Sequence, residues 1–436
     1  MMMQQRDISR SYGRGLGQTV DWRLILCYLA LVVIGLVSIY ASVHSSEPSS
    51  IFDLGSRSGK QIMWFGLSLV VDLAILFVIN PKIWEVIPPA AYVLVLFLLV
   101  LVIFVSDDVK GSHSWFELGP VKFQPAEISK ITTSLMLASV MSRQGFRLSS
   151  PRGFALAALT IALPMLTIVA ESETGSALVY VGYLFVLYRE GLSGWWIVFL
   201  GLCIALFILT LTTAWWVSLS ALGALCTGFV LLNLKGCRSL LLRRRLVWRS
   251  ALVFAAGAVL VFATDFLFNN VLQDHQRTRI EVLLGMKEDP MGVGYNVRQS
   301  MIAIGSGGLF GKGFLNGTQT TFGFVPEQST DFIFCTIGEE YGFLGALAVI
   351  LLYSYMIYRL IQDAEKSRSP FTRIYGYCVA ACLFMHLFIN IGMTIGLMPV
   401  IGIPLPMISY GGSSLLAFST LIFIFLALHR QESKYF

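Results

Sequence analysis

Seven residues in this chain have the type and setting to do chemistry. Asp331 ends the polar run Val325-Pro326-Glu327-Gln328-Ser329-Thr330-Asp331 and is followed at once by Phe332-Ile333-Phe334, the start of a long apolar helix. A carboxylate at a helix N-terminus is held in its ionised form by the helix dipole, which suits a general base that takes a proton from a hydroxyl. Glu127 and Lys130 stand three apart after Pro125 and so share a helix face. Glu173 lies in Glu171-Ser-Glu-Thr-Gly175 between two apolar runs, Arg279 in Gln276-Arg-Thr-Arg279, and Lys312 in Gly311-Lys-Gly313. Arginine can grip a phosphate with two parallel hydrogen bonds, or it can simply snorkel towards headgroups. Ser409 sits in Pro399-Val-Ile-Gly402-Ile-Pro404-Leu-Pro406-Met-Ile-Ser409-Tyr-Gly411-Gly412, where three prolines and a glycine pair interrupt two apolar segments. Irregular backbone at that depth survives only when it is buried in protein or lines water.

What holds these residues must be a membrane bundle. The 436 residues are 56% hydrophobic and 13% charged, against about 25% charged in soluble domains. Mean hydropathy is +0.74. Apolar segments fall at 22–44, 60–79, 84–106, 125–142, 152–170, 174–188, 194–212, 214–233, 247–268, 331–359, 373–396 and 410–429. This predicts an all-α polytopic membrane protein of about 12 transmembrane helices, with 174–188 short enough to be partly re-entrant. No separate soluble domain is apparent. The formal charge of +6 reports orientation rather than nucleic-acid binding, and no nucleic-acid partner is expected. Most of the 31 Lys and Arg fall on the N-terminal side of the predicted bilayer, with Arg6, Arg10, Arg14 and the run Arg243-Arg244-Arg245 among them. Both termini are therefore expected in the cytoplasm, and the loop 270–330 outside. Arg243-Arg244-Arg245 reads as a topology anchor or as a docking point for a cytosolic partner. Trp195, Trp196, Trp215 and Trp216 mark span ends. The polar N-terminus has no signal-peptide pattern.

Glycine recurs through Gly294–Gly323, so this part is expected to form a long ordered loop rather than an ordinary helix. The run Gly305 to Gly313 is not a nucleotide-binding loop, because Gly313 stands where Ser or Thr must follow the lysine. The seven cysteines form no CxxC pair and read as buried apolar residues. The five histidines, His44, His113, His275, His386 and His429, are scattered and make no metal constellation.

The ordered elements Gly294-Tyr295, Gln299-Ser300, Ala303 to Gly308, Gly311-Lys-Gly313, Gly317-Thr-Gln319, Pro326 to Phe334 and Glu339 to Gly342 resemble the SEDS family of polytopic membrane glycosyltransferases, nearest its elongation branch. The C-terminal Pro399–Ser414 stretch is similar to that family's signature too, and the resemblance runs from about Trp22 to His429. It implies ten spans, so the two at 194–233 would be an inserted pair. It implies polymerisation of lipid II into glycan, with release of undecaprenyl pyrophosphate. Such a site needs a base, cations for the diphosphate and a lipid-accessible groove. By resemblance Asp331 is the catalytic base. Glu127, Lys130, Glu173, Arg279, Lys312 and Ser409 bind substrate, with Lys130, Arg279 and Lys312 facing the diphosphate. A divalent cation, Mg or Mn, could share that work, although no residue set is dedicated to one. The implied partner is a class B penicillin-binding protein of the elongation type, and the implied location is the bacterial inner membrane. Two departures stand out. Ser114 replaces an arginine frequent in the family, and Glu173 replaces an aspartate. For Glu127 and Lys130 a plain ion pair competes with a substrate groove, and for Glu171 and Glu173 plain solvated carboxylates are the alternative. A lipid II flippase and a non-catalytic scaffold are the rival functions.

Overall fold

The computed structural model describes residues 20–44, 50–106, 114–118, 121–234, 239–270, 272, 274–287 and 292–433. Arg6, Arg10, Arg14 and His113 lie outside them. The chain forms two compact units, Met1–Leu192 with Tyr295–Phe436, and Ser193–Gly294.

In the first unit α1 (Trp22–Val43) is followed by α2 (Arg57–Leu73), which runs on as a π-helical turn, Ala74–Val78. Then come α3 (Ile83–Val86), α4 (Pro88–Val105), the antiparallel hairpin β1 (Phe116–Leu118) and β2 (Val121–Phe123), α5 (Pro125–Met141) and α6 (Pro151–Ala170). α7 (Thr174–Val179) and α8 (Tyr183–Arg189) are separated by a 3₁₀ turn. The second unit holds α9 (Trp195–Thr212), α10 (Trp215–Leu234), α11 (Leu240–Asn270) and α12 (Asp274–Leu283). The first unit resumes with α13 (Val293–Ser306), the single turn α14 (Thr318–Thr321), α15 (Ile333–Lys366), α16 (Pro370–Thr394) and α17 (Gly412–Ser433).

Local chemistry sets the helix starts. Asp21, Ser56 and Ser150 accept from Arg23, Gly59 and Gly153 N–H at the heads of α1, α2 and α6. Proline opens α5, α6 and α16, where its missing N–H costs nothing. Burial then ranks the helices. In their most apolar windows α16 is 83% buried and α17 72%, whereas α2, α4 and α6 are 28% buried. α16 is thus the central post of the first unit, packed on α15 and α5. Side chains such as Phe97 and Phe104 on α4 are left exposed, as a surface facing lipid tails would be.

Among the described residues ten helices are long and apolar enough to cross a membrane, against the twelve segments read from the sequence. The other two segments are helical but differ. α5 has 17 residues and carries Glu127 and Lys130. The 174–188 segment is broken at the 3₁₀ turn, where Gly182 packs so closely that a β-carbon would lie 2.5 Å from Met385.

The expectation that no ordinary helix occupies Gly294–Gly323 is corrected by α13, which covers Val293–Ser306. Glycine is absent between Gly294 and Gly305, and Val297, Met301 and Ile304 repeat at helical spacing. The glycines are concentrated in the following turns instead.

Candidate active site

Asp331 is half-buried at the end of a tight turn that leads into α15. The backbone N–H groups of Thr330 and Phe332 both donate to the carbonyl of Glu327, at 3.1 and 3.2 Å. Glu327 itself has a φ of 55°, a strained setting for a residue with a side chain. The helix cap is Phe332, which has no side-chain capping bond, and α15 begins at Ile333. Asp331 therefore precedes the cap by one residue, where the sequence had placed it at the helix start itself.

The proline-rich segment 399–411 closes over this turn. Asn390, on α16, donates from Nδ2 to the carbonyls of Asp331 (2.8 Å) and Ile403 (2.7 Å). Ser409 Oγ donates to the Thr330 carbonyl at 2.7 Å and accepts from Leu405 N–H at 2.8 Å. Tyr410 N–H donates to the Ser329 carbonyl at 2.8 Å. Gln61 donates to the Ser409 carbonyl and accepts from Gly411 N–H, and Tyr353 donates to the Pro406 carbonyl. The freed carbonyls of the broken helix are thus caught by side chains. Ser409 acts here as a backbone fastener. Gly402, with φ of 76°, passes so close that a β-carbon would stand 3.3 Å from Asp331 Oδ2.

Glu127 and Lys130 form a fully buried pair, Nζ to Oε1 2.9 Å. Lys130 Nζ also lies 3.0 Å from His386 Nε2 and 4.9 Å from the centre of the Phe418 ring. Buried on every side, the ammonium depends on these partners.

The glycine run is docked into a break in α15. At Gly342 the backbone leaves the helix, with φ of 65°. The stranded carbonyls of Glu339 and Glu340 accept from Lys312 and Gly313 N–H (3.0 and 2.9 Å). Phe343 and Leu344 N–H donate to the Gly308 and Leu309 carbonyls (2.9 and 3.2 Å). A β-carbon on Gly311 would fall 2.1 Å from the Glu340 carbonyl oxygen, which is why this position needs glycine. The Glu339 side chain finishes the joint. It accepts from Lys312 Nζ (2.7 Å), from Thr318 and Gln319 N–H (2.8 Å each) and from Thr320 N–H (2.9 Å). Lys312 thereby ties the loop to α15.

Glu173 accepts from Ser114 Oγ at 2.8 Å, so the two positions that depart from the family pattern are paired with each other. Its neighbour Glu171 is fully buried at the end of α6, and burial, aided by the Glu173 charge, pushes its carboxyl up to about 9. Arg279 lies on α12 of the second unit. The structure thus gathers Asp331 and Ser409 around one turn, and holds Glu127 with Lys130 and Lys312 with Glu339 as separate pairs. The sequence reading missed the roles of His386, Gln61 and Arg57, whose guanidinium donates to Ser329 Oγ at 2.6 Å. The available signal was polarity. His386 and Asn390 stand one turn apart in an otherwise apolar span, and polar residues at that depth are seldom idle. Among the described residues no group of three or more His, Cys, Asp or Glu could hold a metal ion.

The sequence model of the FtsW/RodA/SpoVE cell cycle protein family matches residues 21–222 and 220–434. The peptidoglycan glycosyltransferase MrdB of Escherichia coli K12 is 32% identical over 415 residues, which are 95% of this chain and 94% of MrdB. A chain in the solved structure of a peptidoglycan synthase complex that coordinates polymerization and crosslinking superposes with a TM-score of 0.66 at 25% identity, covering 95% of this chain and 98% of that one. The crystal structure of the rod shape determining protein RodA of Thermus thermophilus, 24% identical, superposes with a TM-score of 0.59 over 95% of this chain and 97% of its own, a likeness of fold. Matched over nearly its whole length, the chain belongs to the FtsW/RodA/SpoVE family, the SEDS family that its motifs resemble.

Proposed function

We propose that the substrate of this chain is lipid II and that the product is a glycan strand. The chain is a RodA/MrdB-like peptidoglycan glycosyltransferase with a role in cell elongation. In the proposed step the 4-hydroxyl of the incoming GlcNAc attacks the anomeric carbon of a growing chain linked through pyrophosphate to a polyprenol. The new glycosidic bond forms as the bond to the diphosphate oxygen breaks. Asp331 takes the hydroxyl proton, and undecaprenyl pyrophosphate leaves with the bonding electrons. The observation that carries this reading is the Asp331 turn, gripped by Asn390 and Ser409 and overlain by Gly402. A base must be held still to act.

Lys312 is proposed to meet the diphosphate, and Arg279 is carried as a phosphate contact on the family resemblance alone. Lys130 is proposed to act with Glu127 from beneath the substrate groove, since its ammonium is buried. Glu173, hydrogen-bonded to Ser114, is proposed to line the sugar side. We further propose that all twelve helical segments cross the bilayer, with both termini cytoplasmic, 270–330 extracytoplasmic and 194–233 an inserted pair, in the inner membrane of a bacterium. Resemblance to the synthase complex supports a class B penicillin-binding protein as partner. Its co-purification in mild detergent is the check, and absence of any such protein would remove the proposal.

The function is tested with purified protein and lipid II. Glycan polymer is the expected product. Translocation of lipid II without polymer would make the chain a flippase, and neither outcome would leave it a scaffold.

A further inference from the structure

His386 belongs to no part of the reaction described so far, yet it joins the two polar clusters of the first unit. It is 1% exposed and sits in α16, whose most apolar window is 83% buried. Its Nδ1 lies 3.1 Å from the Pro404 carbonyl oxygen, and its Nε2 lies 3.0 Å from Lys130 Nζ. A carbonyl can only accept, so Nδ1 carries the proton. An ammonium can only donate, so Nε2 offers its lone pair. The two contacts together fix a neutral imidazole in a single tautomer. The ring also meets Phe418 in a T-shaped contact, 4.7 Å between centroids, and Lys130 lies over that same phenyl ring.

One turn further along α16, Asn390 holds the Ile403 and Asp331 carbonyls. His386 and Asn390 are therefore two hooks on one helix face that grip consecutive carbonyls, Pro404 and Ile403. The next residue back is Gly402, where a β-carbon would stand 3.3 Å from Asp331 Oδ2. Movement at Pro404 would pass directly to that contact.

We propose that His386 is a positioning residue for glycosyl transfer: in its Nδ1–H form it anchors the Gly402–Pro404 backbone against Asp331 and orients the ammonium of Lys130. The proposal rests on the glycosyltransferase reading, and it adds a residue that touches neither substrate nor base. Packing alone would not require it, because an aromatic hydrocarbon would fill the same space.

Two variants separate positioning from packing. His386→Gln keeps one donor and one acceptor on a terminal amide, enough to serve Pro404 and Lys130 together. His386→Phe keeps the ring and removes both. Purified full-length variants are compared with lipid II for kcat and KM, and by hydrogen–deuterium exchange over residues 399–411. For His386→Phe the expected result is a fall in kcat of about 100-fold, the scale of a small misplacement of a reacting group, with KM changed by less than about threefold. Exchange over 399–411 should rise in this variant alone. His386→Gln should stay within about threefold of wild type in kcat. Wild-type kcat in His386→Phe, equal losses in both variants, or unchanged exchange would overturn the proposal. Should His386→Phe not yield folded protein, His386→Met takes its place with the same expectations. If the wild type makes no polymer, the functional reading falls, and the exchange comparison still decides whether His386 anchors the segment.

Discussion

Gly402 lies against Asp331 so closely that a β-carbon on the glycine would stand 3.3 Å from the carboxylate Oδ2. The catalytic candidate and a residue 71 positions later in the chain are thus near neighbours, with little room for a side chain on the glycine. Gly402→Ala meets both the crowding and a φ of 76°, which costs an L-residue about 1–2 kcal/mol. The expected outcome is lowered thermal stability together with reduced polymerisation. An alanine variant of wild-type stability and rate would show that the close approach is immaterial.

Asp331→Asn leaves the main-chain carbonyl available to Asn390, so the fold should persist. Loss of the base should lower the rate by roughly 10²–10⁴-fold. Glycan yield from lipid II is the measurement, with unfolding temperature as control. Near-normal yield would take Asp331 out of the mechanism.

Glu339 and Lys312 should respond differently to neutralisation. Glu339→Gln strips a carboxylate that three backbone N–H groups and Lys312 all face. One amide oxygen cannot replace two carboxylate oxygens, so this variant should melt well below wild type. Lys312→Met leaves the backbone donors in place and should melt closer to wild type while losing rate, if the ammonium also meets diphosphate. Equal losses of stability in the two would assign Lys312 to the joint alone.

Glu171 offers a pH test outside the membrane spans. Its carboxyl is raised from 4.5 to about 9 by burial and by Glu173. The folded state therefore holds the proton more tightly than the unfolded chain. That stabilisation is complete below the ordinary carboxylate pKa and is lost as pH rises through about 9. Unfolding temperature should fall between these limits in the wild type and fall less in Glu171→Gln. Parallel curves for the two proteins would show that Glu171 does not carry this dependence.

Orientation is checked by single-cysteine variants at Ser239 and Asn316 in a cysteine-free background. An impermeant thiol reagent should reach Asn316 in intact cells and Ser239 only after permeabilisation. Labelling of both from one side would reverse or break the proposed topology.

Composition and patterning alone determined much of this protein. Apolar runs of bilayer length can only be helices in a medium without hydrogen-bond partners, and the long apolar helices among the described residues fall on expected segments, while α12 and α13 do not. Asp331 stood out because a polar run delivers its carboxylate to the start of a long apolar helix, its catalytic role coming from the family resemblance, and the glycines around Lys312 marked a place of close backbone approach. Helix α13 was readable in principle, but the glycine content of its surroundings hid the apolar repeat of Val297, Met301 and Ile304. Other relationships were decided by tertiary structure. Lys130 and His386 are 256 residues apart, and Arg57 and Ser329 are 272 apart. Periodicity and propensity act over a few turns, so one sequence cannot say which distant faces will meet. The break at Gly342 illustrates the limit. Glycine there permits a non-helical φ, but only the arrival of Gly308 to Gly313, with carbonyls and N–H groups to exchange, makes that break stable within α15.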